Sequence, residues 1–243
     1  MVQSDIVPMY HAAEAPNGNA IVIGDPELSR DRQYKFIPLP GAREEAKEVS
    51  QLWERSPNYL AGEAAERPIV NMYLGPKEPL SLIYFATHGI SDPVNPMDGS
   101  FLARKGGHPY GRDIKYLVIY SHPLIDMSAC QTGLGKTFEA GTFGLARAWW
   151  HAGAGQVVMS LWNIDDAETR NLMVAFIRLV RVEEGPDGLS QVDKNGISIG
   201  REEMLRRAML EVRDKYQDPA LWASFLLFGI PTKLDSSQHQ PAN

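Results

Sequence analysis

Short apolar runs alternate with segments of helical spacing along most of this chain, and this alternation limits the possible folds. The apolar runs are Ala20–Ile23, Leu80–Thr87, Leu124–Ser128, Gln156–Trp162 and Leu221–Gly229. Helical spacing of apolar residues lies between or after them, at about 41–53, 143–151, 167–182 and 201–213. Buried strands joined through helices are typical of a mostly parallel sheet. The sequence therefore predicts an α/β fold with about six strands and helices on both faces of the sheet.

The chain divides into a lead-in or linker at residues 1–19, one domain at 20–232 and a disordered tail at 233–243. Its length of 243 residues suits a single large α/β domain. Two stretches within the domain, 91–113 and 183–200, are rich in glycine and polar residues, and we expect them to be long surface loops that can move, the first with a candidate short strand at Ser100–Ala103.

Composition excludes several classes of function. The net charge of -6 argues against direct nucleic-acid contact, and no apolar run approaches the roughly 20 residues that cross a bilayer. The first ten residues lack the pattern of a signal peptide. The single cysteine can form neither an internal disulfide nor a multi-cysteine zinc site, and it suits a reducing, cytoplasmic location.

The most informative pair of residues is a histidine and the single cysteine, each at the end of an apolar run. His88 follows one run and Cys130 another, and ligands bind at the carboxyl ends of parallel strands. An imidazole can take the proton of a thiol and make it nucleophilic. Gly89 and the Cys130 backbone could donate N–H groups to an oxyanion. Taken singly, His88 is more often a structural residue and Cys130 a buried, inert one.

The strings around both residues resemble a known family. Phe85-Ala86-Thr87-His88-Gly89 and Met127-Ser128-Ala129-Cys130-Gln131-Thr132-Gly133 are similar to the His-Gly and Ser-Ala-Cys-x-Thr-Gly boxes of CHAT domains, the caspase-like domains associated with tetratricopeptide repeats. Further similar strings follow in the family's order, at 22–26, 39–46, 144–148, 152–154, 160–162 and 220–229. The resemblance covers about residues 20–230 and is specific only in combination.

The resemblance implies a caspase–hemoglobinase-like three-layer sandwich with a mostly parallel central sheet. It implies a cysteine endopeptidase in which His88 is the base and Cys130 the nucleophile, with Gly89 and Cys130 as oxyanion donors. Its substrate would be a protein, and no cofactor or metal would be required. Such domains usually work beside repeat or sensor modules in bacterial conflict systems, so a regulatory partner, bacterial defence and low activity of the isolated domain are expected.

Substrate specificity rests on a shorter resemblance. The stretch Trp162-Asn163-Ile164-Asp165-Asp166 is similar to a separase segment whose last aspartate faces a basic P1 side chain. Carried over by position, Asp166 would bind Arg or Lys, with Trp162 as a pocket wall and Asp165 beside it. The alternatives are that Asp165 or Asp166 caps the following helix and that Trp162 is an ordinary core residue.

Two other functions stay open at this stage. Gly135-Lys136-Thr137 lies where a nucleotide-binding P-loop would lie, but Cys130 occupies the position of the motif's first glycine. The chain could also be a catalytically silent caspase-like module used for binding or assembly. A metal site is not expected, because the histidines lack ligand-like spacing.

Overall fold

A computed structural model describes the parts of the chain that form the sheet and its covering helices. The described residues are 19–25, 28, 34–53, 59–61, 79–92, 94–103, 108–128, 139–162, 166–184 and 199–229. The predicted lead-in, the tail, Cys130, Asp165 and Gly135-Lys136-Thr137 lie outside them, apart from Asn19, which begins the first strand.

The described strands form one six-stranded sheet and a small hairpin. The strands are β1 (Asn19–Gly24), β2 (Tyr59–Ala61), β3 (Leu80–Ala86), β4 (Gly89–Ile90), β5 (Phe101–Leu102), β6 (Leu124–Met127), β7 (Gln156–Ser160) and β8 (Phe225–Gly229). The order in the large sheet is β2-β1-β3-β6-β7-β8, with β8 antiparallel to β7 and every other neighbouring pair parallel. The antiparallel hairpin pairs β4 with β5. The predicted mostly parallel sheet of about six strands is confirmed.

Helices cover both faces of the large sheet. They are α1 (Pro40–Leu52), α2 (Pro96–Gly99), α3 (Gly111–Ile114), α4 (Glu139–Ala152), α5 (Asp166–Glu184) and α6 (Arg201–Arg213), with a 3₁₀ turn at Pro219–Leu221. One apolar core joins α1, α5 and α6 to the first face. A second joins α3 and α4 to the other face. This is the three-layer arrangement predicted for the chain, and its core strands are buried on both sides.

Close packing between α1 and β1 depends on a glycine. A Cβ atom added to Gly24 would lie 2.3 Å from the Cβ of Ala46 and 3.0 Å from the carbonyl oxygen of Ala42. The absence of a side chain at this position therefore lets the helix lie directly against the end of the strand. Asp25, the next residue, donates its N–H to the carbonyl oxygen of Ala86 at 2.9 Å.

The segment after His88 is more ordered than the sequence predicts. The sequence predicts a mobile surface loop over 91–113 with a short strand at Ser100–Ala103. Strand β5 lies within that range, and the described residues of the stretch also contain α2 and form α3 as far as Asp113. Phe101 and Leu102 are buried, because the hairpin folds them against the body of the domain. Strand β2 was also missed. Of the second expected loop, 183–200, only the ends are described, with α5 extending to Glu184.

Candidate active site

His88 lies just beyond the carboxyl end of β3, at the edge of the large sheet. The hairpin fixes the backbone around it. Ala103 N–H donates to the His88 carbonyl oxygen at 2.7 Å, and the Thr87 hydroxyl donates to the carbonyl oxygen of Ala103 at 3.0 Å. The histidine is 4% exposed, so its ring orientation is set by the protein and not by solvent.

The side chain of His88 is oriented by the segment that leads into α1. Nε2 of His88 lies 2.6 Å from the carbonyl oxygen of Ile37. A carbonyl oxygen only accepts hydrogen bonds, so Nε2 carries the proton in this contact. Nδ1 is then the nitrogen of the ring that can act as a base. The Phe36 ring packs against the imidazole with 5.0 Å between the ring centroids.

An aromatic cluster extends from His88 under the hairpin. Phe101 is fully buried and stacks on His108, with ring centroids 4.4 Å apart and planes 13° apart. Tyr34 contacts both of these rings, and Tyr110 meets Phe101 edge to face. The cluster gives the wall beside His88 a rigid support, because stacked rings have few alternative packings.

The neighbour of His88, Gly89, directs its N–H group away from the hairpin partner. The His88–Ala103 pair is joined by a backbone hydrogen bond, and Gly89 faces Leu102 at the next position along the ladder. Hydrogen-bonded and non-hydrogen-bonded pairs alternate in an antiparallel ladder. Gly89 N–H therefore does not serve the pairing of β4 with β5.

Strand β6 precedes Cys130 in the sequence and ends at the same edge of the sheet as β3. The strand is parallel to β3, with Leu82 opposite Leu124 and Phe85 opposite Met127. It ends at Met127, three residues before Cys130, which lies outside the described residues. The structure thus describes the base of the predicted dyad together with the strand that precedes the nucleophile.

The residues predicted to bind substrate lie beyond β7. Asp166 begins α5, and its Oδ2 accepts a hydrogen bond of 2.5 Å from the Gly41 N–H at the first turn of α1. The aspartate thus caps a helix other than the one it begins, an arrangement that the sequence did not indicate. Trp162 is partly buried against the first core, and its Nε1–H donates to the Ala220 carbonyl oxygen at 2.8 Å. Asp165 is not among the described residues.

A cluster of buried polar side chains lies between α1 and the centre of the sheet. The Tyr84 hydroxyl donates to Oε1 of Glu45 at 2.6 Å. Burial, opposed by the nearby hydroxyls of Ser128 and Tyr84, raises the pKa of Glu45 to about 8, and Asp166 adds to the rise. Within the described residues the Ser128 hydroxyl forms no hydrogen bond of normal geometry, so it lowers the pKa of Glu45 through its proximity. At neutral pH the Glu45 carboxyl is therefore mostly protonated.

Asp126 belongs to the same cluster and is the most deeply buried acid in it. It lies opposite Tyr84 in the β3–β6 register and is fully buried. Within the described part of the chain its two carboxylate oxygens have no hydrogen bond of normal geometry. Burial, and then the charge of Glu45, raise its pKa well above the usual range, while the Ser128 backbone opposes the rise. This acid lies four residues before Cys130 in the sequence.

The described residues contain no group of three or more His, Cys, Asp or Glu side chains that could hold a metal ion. Among the helices that the structure describes, none is long and apolar enough to cross a membrane.

Comparison with known proteins identifies the family. The family model of the CHAT domain matches residues 4–230. This chain belongs to the CHAT domain family. The match confirms the resemblance seen in the histidine and cysteine boxes and extends it into the predicted lead-in.

Curated relatives of this CHAT domain include tetratricopeptide repeat protein 28 of Homo sapiens and of Mus musculus. The human protein is 28% identical over 258 residues and the mouse protein 27% identical over 256 residues. In both cases the match covers 89% of this chain and 10% of the relative. The chain thus spans about a tenth of the length of these relatives, which their names describe as tetratricopeptide repeat proteins.

Solved structures show the same fold. The Arg specific cysteine proteinase gingipain R (RgpB) aligns with a TM-score of 0.51 and 16% identity, over 88% of this chain and 46% of that one. The complex of the Porphyromonas gingivalis RgpB pro- and mature domains gives 0.51 and 15%, over 88% and 47%. The CHAT domain therefore has the caspase-like fold of cysteine peptidases, as predicted.

Sequence reasoning missed the groups that hold and surround His88. A backbone carbonyl such as that of Ile37 has no signature in a sequence, because every residue carries one. The buried acids left a trace: Glu45 lies on the same helical face as Ala42, Ala46 and Val49, and Asp126 interrupts an apolar strand. A charged residue within a buried pattern was the signal that could have found them.

Proposed function

We propose that this CHAT domain is a cysteine endopeptidase with His88 as general base and Cys130 as nucleophile. The observation that carries the proposal is the fixed orientation of His88. The Ile37 carbonyl holds Nε2–H, and this leaves Nδ1 as the basic nitrogen at the carboxyl edge of the sheet.

The register of the sheet supports the pairing of the two residues. Each β3 residue faces the β6 residue that is 42 positions later, as Leu82 faces Leu124 and Phe85 faces Met127. His88 and Cys130 are separated by the same interval in the sequence. Continuation of this register beyond the two strands would set the imidazole and the thiol opposite one another. We propose this juxtaposition as the catalytic dyad.

The reaction follows from the chemistry of the pair. The thiol of Cys130 gives its proton to Nδ1 of His88, and the sulfur attacks the peptide carbonyl carbon to form a tetrahedral oxyanion. The imidazolium then protonates the leaving amine as the C–N bond breaks, and this step leaves an acyl-enzyme. Water, deprotonated by the same imidazole, attacks the thioester and returns the free thiol and a carboxylic acid product.

The oxyanion would be bound by backbone N–H groups of Gly89 and Cys130. The Gly89 N–H is directed away from β5 and adjoins the base, and a glycine allows substrate to approach the backbone closely. Substrate would bind in an extended form across the strand ends, with no cofactor or metal required. The protein substrate itself stays a prediction.

Specificity is a finer part of the proposal. We propose Asp166 as the acid for a basic P1 side chain, with Trp162 as the pocket wall and Asp165 nearby. The Gly41 contact engages Oδ2 of Asp166, so any guanidinium of the substrate must share the carboxylate with that N–H group. Loss of cleavage after Arg or Lys in Asp166→Ala, with the folded state retained, would support the assignment.

Regulation by a partner is proposed on the basis of the relatives. The repeat proteins that match this chain carry a CHAT-like segment as a tenth of their length. We propose that a repeat or sensor module, on the same or another chain, gates the peptidase in a signalling or defence system. The chain has one cysteine, and its thiol must stay reduced to react, so a cytoplasmic location suits the activity.

A peptide library digested by matched variants tests the proposal. Mass spectrometry of the products compares wild type with Cys130→Ala, His88→Gln and His151→Gln. His151 is an exposed residue of α4 and serves as the control. Cleavage by wild type and by His151→Gln, lost in the other two variants, is the expected result. If wild type yields no products and no labelling of Cys130 by an electrophilic peptide, with or without its repeat module, the chain is the silent binding module instead.

A further inference from the structure

The segment that orients His88, residues 34–39, is itself held at several points. Its aromatic residues pack into the cluster under the hairpin, with Phe36 against the His88 ring. At its other end, the Leu39 N–H donates to Oδ1 of Asp25 at 2.9 Å, and Leu39 is buried. Because both ends are fixed, the middle of the segment has a defined position next to the base.

Ile37, in the middle of this segment, has its backbone and side chain in contrasting environments. Its carbonyl oxygen binds His88, whereas the residue is 68% exposed. Pro38 follows and restricts Ile37 to extended backbone conformations. Phe36 and Leu39 pack inward while Ile37 and Pro38 face outward. A large apolar side chain is thus held rigidly in solvent beside the imidazole that would perform the chemistry.

The role of His88 indicates which part of a substrate would reach Ile37. In peptide cleavage the imidazole protonates the leaving amine, so it must lie beside the residue that follows the scissile bond. The Ile37 carbonyl oxygen lies 2.6 Å from the other nitrogen of the same ring, so Ile37 is separated from the leaving amine by the width of the imidazole. A side chain at this substrate position, P1′, can cover Ile37 and remove its apolar surface from water.

We propose that the Ile37 side chain forms an apolar wall of the S1′ subsite, so that the peptidase cleaves before a large apolar residue. This inference rests on the proposed function and adds its specificity on the leaving-group side. Exposed Lys35 is the charged residue of the same segment, and it would favour an acidic P1′ residue instead. The two alternatives predict different products and are separated by the same experiment.

The test uses peptides that differ only at P1′. After the library has located a cleaved sequence, versions with Leu, Glu or Lys at P1′ are compared by kcat/KM in wild type, Ile37→Ala and Ile37→Glu. We expect wild type to prefer Leu over Glu by roughly tenfold, a ratio in line with covering part of one apolar side chain. Ile37→Ala should lower this ratio roughly fivefold, and Ile37→Glu should make Lys the preferred residue.

The control is Val118→Ala, which shortens another apolar side chain that is 52% exposed. Val118 precedes β6 and lies toward the end of the strands opposite His88. It should leave the P1′ ratios unchanged. If wild type and both Ile37 variants show the same P1′ preference, this inference is overturned and the dyad is left intact. The same holds if the Ile37 variants lose kcat/KM equally for all three peptides. Absence of any Cys130-dependent cleavage would overturn the proposed function, and the subsite with it.

Discussion

Substitution of Glu45 by glutamine should make the protein more stable in alkaline solution. Burial raises the pKa of Glu45 from its ordinary 4.5 to about 8 in the folded protein. A group whose pKa is raised by folding stabilises the folded state fully below its unfolded pKa, and the stabilisation is lost as the pH rises toward the folded pKa. As the pH rises from 4.5 to 8, Glu45 therefore lowers the free energy of unfolding by an increasing amount.

The magnitude follows from the shift. The difference between 4.5 and about 8 corresponds to roughly 5 kcal/mol, since one pKa unit is worth about 1.4 kcal/mol. Relaxation of the charged site reduces this, so we expect wild type to lose about 2–5 kcal/mol of unfolding free energy from this group. Glutamine stays neutral and can still accept the Tyr84 hydrogen bond.

Urea unfolding followed by circular dichroism at pH 5 and pH 8.5 measures the effect. Glu45→Gln should resemble wild type at pH 5 and exceed its stability at pH 8.5 by that amount. Glu44→Gln, a neighbour on α1 with a half-exposed side chain, should follow wild type at both values. Glu45→Gln also removes the charge that raises the pKa of Asp126, so relief of Asp126 adds to the expected gain at pH 8.5 in the same direction. Equal pH dependence in wild type and Glu45→Gln would refute the reasoning.

Three further substitutions test the packing. Gly24→Ala should cost about 1–3 kcal/mol in urea unfolding, because the new methyl group would lie 2.3 Å from the Ala46 Cβ. Asp166→Ala should cost about 0.5–2 kcal/mol through loss of the Gly41 contact, a cost that Asp166→Asn should largely avoid by retaining an acceptor. Phe101→Ala should cost about 3–5 kcal/mol and lower the melting temperature, because the ring is fully buried in the aromatic cluster.

The sheet could be read from the sequence because its strands are buried on both faces. Such strands appear as continuous apolar runs, as Leu80–Ala86 does, and their helices show a clear apolar spacing. Strand β5 lies within the short strand that the sequence indicated at Ser100–Ala103, whereas β4, with two residues, and β2, with three, are too short to give a pattern. Phe101 is buried by a tertiary contact with the segment before α1, and Leu102 by the core that includes α3 and α4, and local glycine and proline content did not reveal these contacts.

The sequence could predict those site residues whose side chains lie in a short, characteristic sequence motif. His88 stood out because a polar residue ended an apolar run, and the structure describes it at that strand end. The hydrogen bond that orients it comes from a backbone atom 51 positions earlier in the chain. Asp166 shows the same limit, since its partner Gly41 is 125 residues away. Contacts of this kind depend on the assembled fold and not on local sequence.

The most direct test of the central claim is the dependence of Cys130 reactivity on His88. An electrophilic peptide would be incubated with wild type, His88→Gln and His151→Gln, and modification of Cys130 followed by mass spectrometry from pH 5 to pH 9. Activation of the thiol by a fixed imidazole predicts rapid labelling at neutral pH in wild type and in the His151 variant, and labelling only at alkaline pH in His88→Gln. Identical labelling rates across pH in all three proteins would contradict it.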